Sequence, residues 1–456
     1  MVGRAGLQVA LFGTDGARGI ANDTLTVGLA LDIARGMAVA LRRPARVLIG
    51  RDTRVSGPML EAALAAGLTE SGVDVLLAGI VPTPALAYLI AAMNADAGIM
   101  ISASHNPPEY NGIKLIERTG RKWEPEDEER VEAAVRRQQW PALSPHHVGR
   151  IFHYEEAAAA IYHRRLQSIF AGQLPAWPIV LDVAHGAALA TAPAVCESLG
   201  VPAVVLNAEP MGELINVGTG ATHPQHLREA VLQRGAKMGL AFDGDADRVM
   251  AVSASGRIVD GDEILYVLAR HLVSRGELVG KEVVATVMSN LGLEKALKSQ
   301  GIRLTRTPVG DRWVAKTMRE SGAVLGGEQS GHVIWRQWTE TGDGLLIGLA
   351  LMAALHAAGV DLDEAVAPVA RYPQVLRNVP LQAPVSDWTA ISGLQNLVVQ
   401  AEQALGDEGR VLVRPSGTEP LLRIMLEGRD VQQIEEWSTR LEAGVREALE
   451  SAEAQR

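Results

Sequence analysis

A single cysteine, Cys196, stands among 456 residues, so no internal disulfide can form. That usage fits a reducing cytoplasm, and a lone cysteine reads as a small buried hydrophobe. Positive charge is also in deficit. The chain carries 43 Lys and Arg against 53 Asp and Glu, a net charge of −10. This balance argues against sequence-independent binding to nucleic acid, and an anionic substrate would need a locally basic cleft. No apolar run is long enough for a membrane. The most apolar stretch, Leu345 to Val360, is rich in Gly and Ala and contains His356. It falls short of the ~20 residues a span needs and reads as a buried helix. The N-terminus, Met1 to Gln8, has one charge and no long apolar core, and does not read as a secretion signal.

What is present is length enough for several domains and a weak threefold repeat. Arg46 to Gly50 reads as a strand, Arg51 to Pro58 as a polar loop, Met59 to Ser71 as a helix ended by Gly72, and Val73 to Leu77 as a second strand. The same order recurs from Pro178 to Leu206, with a helix ending near Gly200, and from Glu282 to Thr305, with a helix ending near Gly301. Each unit reads as βαβ, with glycine supplying the left-handed cap. A further apolar strand and a polar loop then follow each unit. Ala97 to Ile101 leads to Ser104, Met238 to Phe242 leads to Asp243-Gly-Asp245-Ala-Asp247-Arg248, and Ala323 to Leu325 leads to Gly326-Gly-Glu328-Gln-Ser330-Gly-His332. Three related α/β domains with mixed sheets are therefore expected to offer three different polar loops to one central cleft. The boundaries are placed at 1–153, 154–255, 256–370 and 371–456. A turn at Ser255-Gly256 separates the second unit from the third, and Arg371-Tyr-Pro373 reads as a linker to a fourth, α+β domain. Its last helix has Ile434, Trp437, Leu441, Val445 and Leu449 at helical spacing, a core stripe. The acidic run Glu124 to Glu132 reads as a solvated helix face.

The loops carry the chemistry. Ser104 falls just past a strand's carboxyl end, where open α/β sheets place ligands. It is not an acyl-transfer elbow, because Ser102 and Asn106 stand where that turn needs glycines. Asp243, Asp245 and Asp247 alternate, so their carboxylates can converge on one hard cation such as Mg2+. An EF-hand is excluded, since Arg248 and Ala254 occupy the positions of its Gly and Glu. Arg414-Pro-Ser416-Gly417-Thr418-Glu-Pro420 is an anion-loop candidate: Arg414 grips phosphate, two hydroxyls donate, Gly417 admits the backbone, and Arg423 follows. Gly13 to Gly19, which includes Arg18, is a weaker loop of the same kind. Arg51 and Arg54 either serve the cleft or brace the first domain. Lys114, once desolvated, can act as a base.

Together these stretches resemble the α-D-phosphohexomutase superfamily, and within it the bacterial branch that acts on glucosamine phosphates. The carriers are Phe12-Gly-Thr-Asp-Gly-Ala-Arg-Gly19, Ile101-Ser-Ala-Ser-His-Asn-Pro107, Phe242-Asp-Gly-Asp-Ala-Asp-Arg248, Val287-Met-Ser-Asn-Leu-Gly-Leu-Glu294, Gly327-Glu-Gln-Ser-Gly-His332 and Arg414-Pro-Ser-Gly-Thr-Glu-Pro420. The resemblance covers nearly the whole chain. It implies four domains around one cleft, the last similar to the TATA-binding-protein fold. It implies that Ser104 carries a phosphoryl group, and that Asp243, Asp245, Asp247 and the phosphoserine hold one Mg2+ per chain. Glu328, Ser330 and His332 would meet the sugar, and Arg414, Ser416, Gly417, Thr418 and Arg423 its resident phosphate. Arg18, Arg248 and Lys114 would offset the remaining charge, with Lys114 as base and His105 in support. The implied partners are a hexosamine phosphate and, for first loading of Ser104, a bisphosphorylated sugar or a kinase. Nucleic acid and membrane are not among them, and a homodimer is compatible with the resemblance.

Some residues depart from that pattern. Ala17 replaces Ile or Val, His185 replaces Asn, Thr219 replaces Cys and Trp313 replaces Tyr. Gln329 stands where phosphomannomutase/phosphoglucomutase relatives commonly carry Met, which favours the glucosamine branch. Glu328 could favour the cationic 2-amino group. Three other readings stay open: phosphomannomutase/phosphoglucomutase activity, a metal-dependent phosphomonoesterase with a serine nucleophile, and a non-catalytic phosphosugar sensor.

Overall fold

The structure, a computed structural model, describes residues 10–13, 15–41, 45–138, 140, 144–381, 387–391, 393–415 and 420–454. The chain forms two compact units, Met1–Thr286 with Thr305–Ala367, and Val287–Leu304 with Pro368–Arg456. The expected repeat is visible in the strand orders. The first sheet holds β1 (Ala17–Ile20), β2 (Arg46–Arg51), β3 (Asp74–Ile80), β4 (Ala97–Ile101), β5 (Tyr110–Glu117) and β6 (Ile151–His153), ordered β1-β5-β4-β2-β3-β6. The second holds β7 (Ile179–Asp182), β8 (Ala203–Leu206), β9 (Met238–Phe242), β10 (Val249–Ser253) and β11 (Ile258–Val259), ordered β11-β10-β9-β7-β8. The third holds β12 (Glu282–Thr286), β13 (Arg303–Thr307), β14 (Leu325–Gly327) and β15 (Val333–Trp335), ordered β13-β12-β14-β15.

One arrangement runs through all three sheets. A central strand (β2, β7 or β12) lies between its two successors, and an antiparallel strand (β5, β10 or β15) pairs with the second of them. The Ser104, Asp243–Asp247 and Glu328–His332 segments are the connections into that antiparallel strand, and are therefore topological equivalents. The turn at Ser255-Gly256 lies inside the second sheet, between β10 and β11, rather than beyond it.

Central strands buried on both faces read as continuous apolar runs, as helix-covered parallel sheets require. Val47, Ile49, Val75, Ile99 and Ile101 join Leu60, Leu64 and Leu68 in the first core. The helix Gly344–Ala358 is buried from Gly344 through Leu355, in line with the reading of that apolar stretch. Asp343 caps it, accepting from the Leu346 N–H at 3.0 Å and from the Tyr162 hydroxyl at both oxygens. Burial pushes the Asp343 carboxyl up to about 6. No helix among the described residues is long and apolar enough to cross a membrane. Cys196 is buried, which pushes its thiol up to about 12.

The acidic run is a correction. In the helix Pro125–Arg137, Glu128 and Glu132 are buried. Val131 and Val135 pack into the first core and carry their acidic neighbours inward. Glu128 accepts from Arg312 at 2.9 Å, and Glu132 accepts the Leu11 N–H. Only part of that run is a solvated face.

The second unit has a three-stranded antiparallel sheet, β16 (Gln374–Pro380), β17 (Gly409–Pro415) and β18 (Leu421–Gly428), ordered β16-β18-β17. The helices Leu394–Leu405 and Val431–Ala454 pack on it through Leu394, Val398, Ile434, Leu441 and Val445, with Trp437 and Leu449 at the margin. The terminal stripe is thus core packing. The 371–373 stretch is tied down within this unit. The Asn290 side chain donates to the Tyr372 carbonyl at 2.9 Å and accepts its N–H at 3.0 Å.

Candidate active site

Ser104 sits three residues past β4 with φ of 50°, a left-handed backbone that a non-glycine residue adopts only when its surroundings fix it. Arg54 does most of the fixing. Its side chain is fully buried, and every donor group has a partner. Nε meets Asp52 Oδ2 at 3.0 Å, Nη2 donates to the carbonyls of Ser104 and Asn106 at 3.0 and 2.7 Å, and Nη1 donates to those of Tyr110, at 2.8 Å, and Pro107. Asn216 donates to the same Ser104 and Asn106 carbonyls at 2.9 and 3.1 Å. The Ser102 hydroxyl accepts the Ser104 N–H at 2.9 Å and donates to Asp52 at 2.6 Å. Of the two readings of Arg54, the structure supports the brace. Arg51 also braces, pairing with Glu61 at 3.2 Å.

The side chain of Ser104 points at the acidic loop. Its hydroxyl donates to Asp243 Oδ2 at 2.6 Å. A Cβ on Gly244 would stand 2.6 Å from the Ser104 carbonyl, so glycine there lets the two loops touch. Asp243, Asp245 and Asp247 are buried, with ligand-capable oxygens all within 4.8 Å of one another. Three such carboxylates cannot all ionise cheaply without a cation. Burial, then Asp247 and Asp245, drives Asp243 well above the usual carboxylate range. Burial also opposes ionisation of Asp247, but His332, Lys114 and Arg248 outweigh it and hold that carboxylate well below the range. One oxygen of Asp245 and one of Asp247 are buried without a hydrogen-bond partner. Hard oxygen donors left over in this way fit Mg2+, which supplies charge compensation to a phosphoryl group when bound. Asp245→Asn removes one anionic donor. The Mg2+ concentration for half-maximal activity is expected to rise on the order of tenfold or more with the fold intact; an unchanged titration would make the triplet structural.

Basic groups surround this cluster, as an anionic substrate demands. Lys114 is buried on β5, and its Nζ lies 2.9 Å from Asp245 Oδ2 and 3.4 Å from Asp15 Oδ2. Thr83 donates to the same Asp245 oxygen at 2.6 Å. Arg18 pairs with Asp15 and donates to Asn106 at 3.0 Å. The Arg248 N–H donates to Asp243 at 3.1 Å, and its guanidinium lies 3.9 Å from Asp247. His105 Nδ1 is 3.3 Å from the Ser104 hydroxyl. Burial, then Arg248 and Arg18, lowers that imidazole to about 4, so it is neutral near pH 7.

The third loop completes the constellation. His332 is buried between Asp247 at 3.5 Å and Asp311 at 3.8 Å, and its Nε2 accepts the Gly342 N–H at 2.9 Å. That bond assigns the ring proton to Nδ1, which faces Asp247. Glu328 is half-buried and accepts the Gly310 N–H at 3.2 Å, whereas Ser330 is exposed. Gln329 donates to Asp260 at 3.3 Å, and Asp260 caps the helix Gly261–Ser274. Gln329 therefore shapes the loop from behind. The variant residues are also placed. His185 has φ of 52°, where His and Asn are both enriched, which explains the exchange. Trp313 is exposed under Lys316, whose Nζ is 5.7 Å from the ring centroid.

Arg414 and Arg423 belong to the second unit, directly opposite each other on β17 and β18. Burial, then Arg423, lowers the Arg414 pKa. Like charges placed opposite are unfavourable, and an anion between them would relieve the strain. Ser416, Gly417 and Thr418 lie outside the described residues.

Asn216 and Thr83 act on this site through bonds to residues 112 and 162 positions away, so no local motif marks them.

All four domain models of the phosphoglucomutase/phosphomannomutase family match: domain I at residues 9–142, domain II at 160–256, domain III at 260–372 and the C-terminal domain at 376–443. The chain is 47% identical over 431 residues to a phosphoglucosamine mutase of Rhodococcus jostii, covering 92% of this chain and 96% of that one. It is 45% identical over 437 residues to a phosphoglucosamine mutase of Thermoanaerobacter sp., covering 94% and 97%. A phosphoglucomutase/phosphomannomutase family protein of Burkholderia thailandensis superposes with a TM-score of 0.80 at 26% identity, covering 97% and 98%. With the Ser104, Asp243–Asp247 and Glu328–His332 segments on equivalent connections, and all four models matched in order, the chain belongs to the phosphoglucomutase/phosphomannomutase family.

Proposed function

We propose that this chain is a phosphohexomutase that interconverts glucosamine 6-phosphate and glucosamine 1-phosphate through a phosphoserine at Ser104. The observation that carries the transfer chemistry is the 2.6 Å approach of the Ser104 hydroxyl to Asp243 within three buried carboxylates. The sugar is supported by the names of the relatives from Rhodococcus and Thermoanaerobacter.

In the working form Ser104 carries a phosphoryl group, first loaded by a bisphosphorylated sugar or a kinase. Asp243, Asp245, Asp247 and that phosphate would hold one Mg2+. The free sugar hydroxyl attacks phosphorus, its proton passing to Lys114 in the neutral amine form with His105 in support, and the bond from phosphorus to the Ser104 oxygen breaks. The bisphosphate then reorients, the Ser104 oxygen attacks its other phosphorus, and the bond from that phosphorus to the sugar oxygen breaks as that oxygen takes back the proton held at Lys114. Arg18 and Arg248 offset the charge gathered at phosphorus, so catalysis is positioning plus electrostatics. Glu328, Ser330 and His332 meet the sugar, while Arg414, Ser416, Gly417, Thr418 and Arg423 hold its resident phosphate. Amino-sugar precursors are the product class.

The test is kcat/KM on the 6-phosphates of glucosamine, glucose and mannose. A site built around a polar substituent rejects analogues lacking it by large factors, so glucosamine 6-phosphate is expected to lead clearly. A higher value for glucose or mannose would move the chain to the phosphomannomutase/phosphoglucomutase branch. Stoichiometric release of inorganic phosphate would make it a phosphomonoesterase.

A further inference from the structure

Behind the reacting groups runs a ring of charged and polar groups, open between Asp247 and Asp245. From Asp247 it passes to His332 at 3.5 Å and Asp311 at 3.8 Å, and from Asp311 to Lys122 at 2.6 Å. Lys122 also donates to Asp15, which faces Lys114 at 3.4 Å, and Lys114 meets Asp245 at 2.9 Å. The ring leaves one carboxylate of the triplet and returns to another. Lys122 is the member that joins the first domain to the third, and it has no part in the transfer chemistry itself.

Its neighbours explain what the joint governs. Asp311 opens the helix Asp311–Ser321, directly after Gly310, whose N–H holds Glu328 Oε1 at 3.2 Å. On its other side, Lys122 and Lys114 share the Asp15 carboxylate. Arg312 adds a second tie, donating to Glu128 at 2.9 Å and to the Trp123 carbonyl at 3.3 Å. The cavity beside the ring, lined by Lys122, Asp311, Arg312, His332 and Glu340, has a volume of about 30 Å³.

We propose that Lys122 is a positioning residue for the transfer step. By bridging Asp15 and Asp311, it sets the distance between Lys114, at the attacked hydroxyl, and Glu328, on the sugar. The inference rests on the mutase reading. A lysine suits this bridge, since a compact ammonium can serve two carboxylates that approach from different sides. Loss of such a bridge displaces reacting groups by fractions of an ångström, and a misplacement of about 1 Å can cost on the order of 100-fold in rate.

The experiment is a double-mutant cycle of Lys122→Met with Glu328→Gln in the full chain, read as mutase kcat and KM on glucosamine 6-phosphate with Mg2+. Lys122→Met is expected to lower kcat/KM about 30-fold, and Lys122→Arg to stay within about fivefold of wild type. Because Lys122 acts through Glu328, the double variant should fall no more than about threefold below Glu328→Gln alone. Losses that multiply in full would show a general loosening and overturn the proposal, as would wild-type kinetics in Lys122→Met. Should Lys122→Met not fold, Asp311→Asn keeps the side-chain shape, enters the same cycle and must give the same coupling. An inactive wild-type chain would instead refute the mutase reading.

Discussion

Replacing Ser104 with alanine is expected to abolish isomerisation, with turnover falling on the order of 10^4-fold or more, because the group proposed to carry the phosphoryl is gone. Intact-mass analysis should find wild-type protein heavier by one phosphate after incubation with a hexose bisphosphate, and the variant unchanged. The backbone complicates a bare comparison. At φ of 50°, alanine bears a left-handed strain of about 1–2 kcal/mol that glycine does not. Ser104→Gly is therefore the companion variant. It should be as inactive as Ser104→Ala and at least as stable. Full activity in either would remove Ser104 from the transfer path.

The second large effect is expected at Arg54, which touches no reacting atom. Arg54→Met leaves Asp52 buried beside a hydrophobe and removes one donor from each of four carbonyls, those of Ser104 and Asn106 keeping Asn216. Breaking one partner out of a buried ion pair costs roughly 3–5 kcal/mol. Denaturant unfolding should show a loss of that order. Turnover should fall about 100-fold or more, because the left-handed turn at Ser104 is then held only by Asn216 and Ser102. The conservative change Arg54→Lys should rescue little, since an ammonium has three donors where the guanidinium uses five. A variant with wild-type unfolding and turnover would show that the turn at Ser104 holds itself.

The acidic loop, the serine loop and the Glu328–His332 loop were legible in the sequence because each is a short polar segment between apolar strands, and period and composition mark such segments. The threefold repeat was legible for the same reason. The bonds that make a site of these loops were not. Glu128 looked like one charge on a solvated helix, yet two valines on the same helix draw it into contact with Arg312. Arg54 could be read as a cleft residue or a brace, and only its full burial decides. Gln329 was read as a branch marker by its position, and its side chain donates to Asp260, the cap of the helix Gly261–Ser274. In each case the deciding partner lies far along the chain, where spacing carries no information.

The equivalence of the three connections has a consequence for how such proteins diversify. Each domain's equivalent strand-to-strand connection carries different side chains, Ser104 on the first, the aspartate triplet on the second and Glu328 to His332 on the third, and the proposed function gives each a different role. A change in the third loop can retune substrate choice while the other two, anchored on separate sheets, keep the transfer chemistry unaltered. Exchange of the 327–332 segment between members that use different sugars should therefore move preference more readily than scattered point changes, and a single ancestral scaffold could radiate across hexose phosphates one hairpin at a time.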